Sequence, residues 1–247
     1  MNKIFLILTI LFSLVNFSKV YSADATPTSY INTVHSVMLC GTGSSETECL
    51  NPVLLGNEGT TGKSFDLSSV TAGASAGGIG SLSSVPYGTS FGWFQIILNR
   101  QFTVTATGKD TTDNDCATEA NSGNGTASST TAPAYAVVDG NAAAQLIKIP
   151  DGITLADNMN GTDVIDGTVG ANEEPAGDPV DADTPYIKFR VQLTPPFILK
   201  PGKMPNVEVA FSLTNAVTFT DTNGSTSGQT CGIFPNSPSV TIKFVGQ

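Results

Sequence analysis

A stretch of 14 residues with alternating character constrains the fold of this chain more than any other feature. From Phe94 to Ala106 every second residue is apolar except Arg100, and the residues between them are mostly polar. A period of two is typical of a β-strand with one buried face. At about 3.3 Å per residue such a strand would span roughly 45 Å, which exceeds the usual strand length. We therefore expect a bend or bulge near Asn99 and Arg100, where a charge enters the apolar register.

Shorter β-like stretches, separated by Gly, Pro and Asn, follow along the chain. Turn residues Pro86, Gly88 and Gly92 precede the long strand. Further strands are predicted at Tyr30–Cys40, Phe65–Leu67, Tyr135–Val138, Gln145–Ile149, Ile187–Leu193, Val207–Phe219 and Val240–Phe244. Helical periodicity of any length is absent. The pattern predicts an all-β, antiparallel β-sandwich, immunoglobulin-like or prealbumin-like, with long polar loops.

The first 22 residues have the features of a signal peptide. Lys3 is followed by an apolar run, Ile4–Val15, that is too short to span a bilayer, and small residues precede Ala23. No later apolar run approaches 18 residues. We therefore expect an exported protein, extracellular, at the cell surface or in a periplasm, with no transmembrane segment after removal of the leader.

Residues 23–247 would form the mature chain, which is long enough to bury a substantial core. We expect a single β-sandwich domain, and a division near residues 109–132 stays open. Removal of the leader takes away two lysines and no acid, which leaves nine basic and 21 acidic residues and a net charge of −12. Such an acidic protein is a poor partner for nucleic acid or an anionic membrane, because both would repel it, and we expect no nucleic-acid partner.

Four cysteines lie in the mature chain, and in an exported protein they favour two disulfides with three possible connectivities. Cys40 and Cys49 are nine residues apart across a polar loop, which suits a local bridge. Cys116 and Cys231 each follow a strand and a polar loop, which suits a long-range bridge. Zinc is the competing interpretation, but neither a Cys-x-x-Cys pair nor a histidine cluster supports it.

The first predicted strand has apolar residues on both faces. Ile31, Val37 and Leu39 share one face, and Tyr30 and Met38 share the other. Two interpretations follow: a central strand of the chain's own sandwich, or a strand that completes the sheet of another subunit. In the second case Thr28–Leu39 would be the donor.

The segment Asp151–Asp183 carries nine acidic residues and no Lys or Arg, and we expect an extended loop that packs little. Calcium, with its oxygen ligands, is the one cofactor left open. No stretch reproduces a calcium-loop motif. The candidate clusters are Asp110/Asp113/Asp115, Asp157/Asn160/Asp163 and Asp178/Asp181/Asp183.

Candidate catalytic residues are few. Ser75 and Ser90 each lie in a Gly-x-Ser-x-Gly pattern, but neither precedes a helix, as a nucleophile elbow requires. His35 is the one histidine and lies upstream of both. We interpret it as a strand histidine with a satisfied hydrogen bond, and we predict no catalytic residue and no enzymatic activity.

The single tryptophan, Trp93, has two interpretations. It could provide a ligand platform at a strand end, but a tryptophan of the sandwich core is the favoured one. Asn124, Asn160 and Asn223 match the N-glycosylation acceptor, although Asn-Gly is foremost a turn signal. One tryptophan is also few for the sugar-binding cleft of a glycosidase.

The first third of the mature chain resembles a known kind of domain. Its order is a strand ending in Leu39-Cys40, a loop with Cys49, then Phe65-Asp66-Leu67, then Val85-Pro86-Tyr87-Gly88-Thr89 opening the long strand. This resembles secreted bacterial domains of the prealbumin-like or carboxypeptidase-regulatory-like β-sandwich type. The resemblance covers roughly the first 85 mature residues, with a looser match in Asn206–Thr214. It implies a β-sandwich in an exported protein, and no functional residue is carried over.

Two functional hypotheses follow. The leading one is a non-enzymatic exported β-sandwich with a structural role at the cell surface, self-assembling through its N-terminal strand as a homo-oligomer or filament. The alternative is a calcium-dependent binding or adhesion module that uses the acidic loops against a surface protein or glycan.

Overall fold

The computed structural model describes residues 23–68, 80–119, 134–138, 141–203, 205–221, 230–236 and 238–246. The predicted signal peptide lies outside these residues, as do Ser75, Asn124 and Asn223. The described residues form fifteen strands: β1 Asp24–Ala25, β2 Ser29–Cys40, β3 Val53–Asn57, β4 Lys63–Asp66, β5 Ser90–Thr105, β6 Thr107–Lys109, β7 Asp115–Ala117, β8 Ala134–Val138, β9 Gln145–Lys148, β10 Met159–Thr162, β11 Tyr186–Ile198, β12 Asn206–Ser212, β13 Val217–Asp221, β14 Thr230–Pro235 and β15 Ser239–Val245.

These strands make three sheets, and every pair of neighbours in them is antiparallel. The central sheet has the order β10–β11–β5–β2–β3, with β4 also on β2 and β9 also on β5. A six-stranded sheet has the order β1–β13–β14–β8–β7–β6, and β12 with β15 forms a two-stranded ribbon. The predicted all-β, antiparallel sandwich is confirmed. Within the described residues the one helical element is the 3₁₀ turn Leu82–Ser84, and no helix could cross a membrane.

The long strand predicted from the alternation is β5, and its bend lies at the expected place. Asn32 of β2 pairs with Phe102, whereas Val34 pairs with Leu98, so β5 carries extra residues around Arg100. At the same place β5 changes its other neighbour from β11 to β9. Gly92 lies inside β5, so its assignment to the preceding turn was wrong. Gly88, with φ +75°, does lie in that turn.

Two apolar clusters lie along one face of β5. One fills the space between the second half of β5 and the six-stranded sheet, with Tyr30, Phe102 and Phe219 among its members. The other lies under the first half of β5 and the ribbon, where Phe244 of β15 stacks on Phe197 of β11 with ring centroids 3.8 Å apart. Because β5 runs through both clusters, the two halves of the sandwich share one strand.

The opposite face of the central sheet is covered by the acidic segment. β10 pairs with β11, and Ser36 Oγ donates to the Ile165 carbonyl at 2.5 Å. Lys188 Nζ donates to a Glu173 carboxylate oxygen at 2.5 Å, and its side chain is 3% exposed. Burial lowers the pKa of Lys188, and the Glu173 carboxylate partly offsets this. The prediction that this segment packs little was wrong, because it forms a third layer over a polar sheet face.

The first strand, β2, lies in the middle of its own sheet. β5 pairs with one edge, and β3 and β4 pair with the other. Most of its residues are buried, including Met38 and Leu39 at 0% exposure. In the structure of the single chain, β2 is therefore a central strand of the chain's own sheet, as the first of the two interpretations predicted.

Strand boundaries differ from the sequence prediction in three places. The stretch predicted as Val207–Phe219 is divided by a turn at Asn215 (φ +59°) into β12 and β13, which belong to different sheets. β11 continues through Pro195 to Ile198, beyond the predicted end of this strand at Leu193. β3 and β14 lie outside the stretches that were predicted as strands, because Gly, Thr and Asn interrupt their apolar residues.

Candidate functional site

A cavity of about 530 Å³ lies where the edge of β11 faces the start of β15. β10 pairs with β11 only as far as Phe189, so beyond it this edge of β11 carries no strand within the described ranges. Asn158 takes the place of a strand for one residue. Its carbonyl accepts from the Arg190 N–H at 2.9 Å, and its Nδ2 donates to the Arg190 carbonyl at 3.0 Å. The cavity thus forms where the sheet loses a strand.

Trp93 lies in the wall of this cavity and is half-buried. It pairs with Gln192 of β11 on one side and with Cys40 of β2 on the other. The favoured interpretation of Trp93 as a core residue was therefore wrong. A signal was present in the sequence, because Trp93 shares the odd-numbered register of Gln95, which is the polar one.

Arg190 lies beside Trp93 on the same sheet face and is 3% exposed. Its Nη1 donates to the Glu46 carbonyl at 3.4 Å, and its buried Nε has no hydrogen-bond partner. It forms no ion pair with any described residue. Burial lowers the pKa of Arg190, and the more distant carboxylates of Glu173 and Glu48 act in the opposite direction. The cavity therefore has a buried cation without a bonded counter-charge.

Two exposed carboxylates, Glu46 and Asp157, also line the cavity. Asp157 lies against Gly177, where a Cβ would come within 2.9 Å of its Oδ1. Gly177 has φ +79°, so glycine suits both this backbone and the close approach of the carboxylate. Val240 of β15 adds an apolar wall. One cavity thus combines a cation, two anions, an indole and an aliphatic side chain.

The two candidate catalytic residues that the structure describes, His35 and Ser90, do not come together. His35 is 2% exposed, its Nδ1 lies 2.9 Å from the Gly59 carbonyl, and its ring centroid lies 4.5 Å from that of Tyr186. This agrees with the interpretation of a strand histidine with a hydrogen bond at Nδ1, whereas the buried Nε2 has no hydrogen-bond partner among the described residues. Ser90 begins β5, about seven residues, or roughly 23 Å of strand, from the point where β5 passes His35. The pair cannot act as nucleophile and base in this arrangement.

The cluster Asp110/Asp113/Asp115 is occupied by protein partners. The Asp110 carboxylate accepts hydrogen bonds from the N–H and side chains of Thr112 and Asn114. Lys109 pairs with Asp113 at 2.9 Å and with Asp115 at 3.1 Å. The sulfurs of Cys116 and Cys231 also lie near Asp110, but both belong to a disulfide and are not thiolate ligands. The arrangement is that of a loop closed by its own hydrogen bonds.

The other two acidic clusters differ from each other. In the second, Asp157 lines the cavity, Asn160 donates to Glu173 at 3.0 Å, and Asp163 accepts from Asn172, so the three bind different neighbours. In the third, Asp181 lies beside Glu174. Burial, together with a hydrogen bond to the Asp181 carboxyl and the negative charge there, raises the pKa of Glu174. This carboxyl pair is the place in the acidic segment where like charges meet.

The four cysteines form two disulfides. Cys40 pairs with Cys49 and Cys116 pairs with Cys231, with Cα–Cα distances of 5.0 and 6.0 Å. This is the connectivity that the sequence favoured. The first bridge ties the end of β2 to the loop before β3, and the second ties β7 to β14. Two disulfides are typical of proteins that mature in an oxidising compartment.

Comparisons with known proteins give no relative for this chain. The likeness to prealbumin-like and carboxypeptidase-regulatory-like domains therefore rests on its short motifs and stays a prediction. No family model matches the sequence, and neither a curated protein nor a solved structure does so.

Proposed function

We propose that this chain is a non-enzymatic, exported structural protein of the cell surface that assembles with itself through the edge of β12. The observation that carries the proposal is the two-stranded ribbon. Within the described residues, β12 and β15 pair only with each other, and an unpaired strand edge is a ready template for another strand. The two disulfides and the leader-like first 22 residues support export.

The ribbon has an apolar face that packs on the core cluster of the central sheet and is only partly covered by it. The residues of this face are all only half-buried, namely Val207, Val209, Phe211, Val240, Ile242 and Phe244. The outer face carries polar pairs such as Glu208 opposite Lys243. A further strand beside β12 would extend this face and remove apolar surface from water, at about 25 cal/mol per Å².

The sequence of β12 suits pairing with β12 of a second copy. An antiparallel pair centred on Val209 would place Val207 opposite Phe211 and Glu208 opposite Ala210 of the partner. No like charges would meet, and both apolar faces would lie on the same side of the joined sheet. Such a contact is isologous and closes a two-fold dimer. The edge of β15 is less suited, because it faces β11 across the cavity.

Light scattering coupled to size-exclusion chromatography of residues 23–247 tests the assembly. We expect a concentration-dependent dimer, and a monomer at all concentrations would contradict it. In Val209→Lys two ammonium groups would face each other across the dimer axis, so we expect a folded monomer. Ala210→Lys is the matched control, because the new cation would lie opposite Glu208, and we expect it to remain dimeric.

The earlier hypothesis of a donor strand at Thr28–Leu39 can be tested by the same measurement. Exchange of β2 would have to break its pairing with β3, β4 and β5. Deletion of residues 23–39 distinguishes the two routes. A deletion variant that is a folded monomer would favour the donor strand. A variant that loses the circular dichroism spectrum and the melting transition of the folded protein would instead leave the β12 edge as the route to assembly.

Calcium-dependent binding through the acidic segment is the second candidate, and one observation favours it. The Glu174 and Asp181 carboxyls are adjacent, and a divalent cation would neutralise the pair. A rise in melting temperature with millimolar calcium that is lost in Glu174→Gln would support this function. A melting temperature that changes with neither calcium nor EDTA would rule out calcium-dependent binding by this segment.

A further inference from the structure

We propose that the cavity between β11 and β15 is a binding site for a small zwitterion, an α-amino acid with an apolar or aromatic side chain. The site is independent of the proposed assembly, since it does not use the edge of β12. Its volume of about 530 Å³ falls within the range of small-molecule sites, roughly 300–1,000 Å³.

Arg190 would receive the carboxylate of the ligand. A buried guanidinium is costly unless it is paired, and this one has no ion pair among the described residues and an Nε without a partner. A ligand carboxylate offers two acceptor oxygens in the geometry that a guanidinium fork matches. The group that the Arg190 guanidinium lacks is therefore an anion, and no carboxylate of the described residues forms an ion pair with it.

Glu46 and Asp157 would receive the ammonium group. The carbonyl of Glu46 already accepts from Arg190 Nη1 at 3.4 Å, so this residue lies directly beside the cation without forming an ion pair with it. In an α-amino acid the ammonium and the carboxylate are attached to the same carbon. A cation and two acidic residues that line one small cavity provide a partner for each of these charged groups, whereas an anionic ligand would meet repulsion from Glu46 and Asp157.

Overall charge also favours a zwitterion over an acidic sugar. The mature chain carries −12 and repels anions at long range, but a ligand without net charge is not repelled. The side chain of the ligand would lie against Trp93 and Val240, which gives an aromatic or branched aliphatic group its apolar contact.

Trp93 provides the readout, because it is the one tryptophan of the chain. Its fluorescence is recorded while L-phenylalanine is added to residues 23–247. We expect a saturable change with L-phenylalanine. Binding of L-phenylalaninamide, which lacks the carboxylate, and of N-acetyl-L-phenylalanine, which lacks the ammonium, should each be at least about tenfold weaker, since each loses a charge-assisted contact.

Variants assign the two charges of the ligand. Arg190→Gln should abolish binding of L-phenylalanine, but it alters a buried residue, so the exposed double variant Glu46→Gln/Asp157→Asn is the second test. We expect this variant to bind L-phenylalanine at least about tenfold more weakly and N-acetyl-L-phenylalanine no more weakly than the wild type does. Glu58→Gln, another exposed acid, is the matched control and should bind like the wild type.

Three results would overturn the proposal. The first is no saturable change of Trp93 fluorescence with L-phenylalanine. The second is equal affinity of the wild type and the double variant for it. The third is tighter binding of D-glucuronate than of L-phenylalanine, which would assign the cavity to acidic sugars.

Discussion

Arg100 and Asp151 form a buried ion pair at the point where β5 exchanges β11 for β9 as its neighbour. Arg100 Nη2 donates to Asp151 Oδ1, and the side chains are 1% and 8% exposed. Nε of the same guanidinium donates to the Ile149 carbonyl at 2.8 Å, and Nη1 donates to the Asp181 carbonyl. A single side chain thus fixes the bulge of β5, the end of β9 and both ends of the acidic segment.

Asp151→Asn should destabilise the protein strongly, because it leaves the Arg100 charge buried without its anion. Loss of one partner of a buried pair costs about 3–5 kcal/mol. Urea unfolding followed by circular dichroism measures this free energy. The control is Asp113→Asn, which disturbs the exposed pair with Lys109 and should change the urea midpoint little. Equal midpoints for the two variants would contradict the role given to Arg100.

The two disulfides should contribute unequally to stability. Cys116–Cys231 closes a separation of 115 residues and Cys40–Cys49 one of nine. The chain-entropy model then assigns about 2 kcal/mol more to the longer bridge. Urea midpoints of the double variants Cys116→Ser/Cys231→Ser and Cys40→Ser/Cys49→Ser test the order. A larger loss of stability on removal of the shorter bridge, Cys40–Cys49, would show that packing at the end of β2 outweighs the entropy of loop closure.

Sequence periodicity predicted the strands whose two faces differ. The alternation around Phe94 indicated β5, and the charge of Arg100 within its apolar register indicated the bulge. Cysteine spacing indicated both disulfides. Each of these signals lies within a few residues of the feature that it predicts, or depends on the few pairings that four cysteines allow.

The same periodicity could not indicate what covers a face. Lys188 and Arg190 alternate with the apolar residues of β11, a pattern typical of a register that faces water, yet both are buried. Lys188 lies beneath the acidic segment, and Arg190 donates to the Glu46 carbonyl. Alternation tells which residues share a face, but a remote segment decides whether that face meets water. The cavity has the same origin, since Glu46, Trp93 and Asp157 converge on it from segments far apart in the chain.

Asp110→Asn should destabilise the protein at neutral pH and not at low pH. Burial alone would raise the pKa of Asp110, but the hydrogen bonds from Asn114 and Thr112 together lower it below its ordinary value of 3.8. A depressed folded-state pKa gives stability that is fully present above about pH 5 and lost as pH falls through that pKa. We expect a loss of about 1–3 kcal/mol at pH 7.

Urea unfolding of the wild type and Asp110→Asn across this pH range measures the difference. The two curves should approach each other in acid. Asp183→Asn, which alters an exposed carboxyl, is the control and should follow the wild type throughout. A constant difference between wild type and Asp110→Asn would mean that the side chain acts through its shape rather than its charge.

Glu174→Gln should have the opposite pH dependence. Burial, the hydrogen bond to the Asp181 carboxyl and the charges of Asp181 and Asp178 raise the pKa of Glu174 above its ordinary value of 4.5. A raised folded-state pKa gives stability that is present below the unfolded-state pKa and lost as pH rises through the folded one. The wild type should therefore lose stability relative to Glu174→Gln between about pH 4 and pH 7. Solvent screening keeps the difference below about 1 kcal/mol.

Melting temperatures of the wild type and Glu174→Gln in calcium-free buffer measure this difference. If the variant were less stable than the wild type at pH 7, the charge of Glu174 would be stabilised by its neighbours rather than opposed by them.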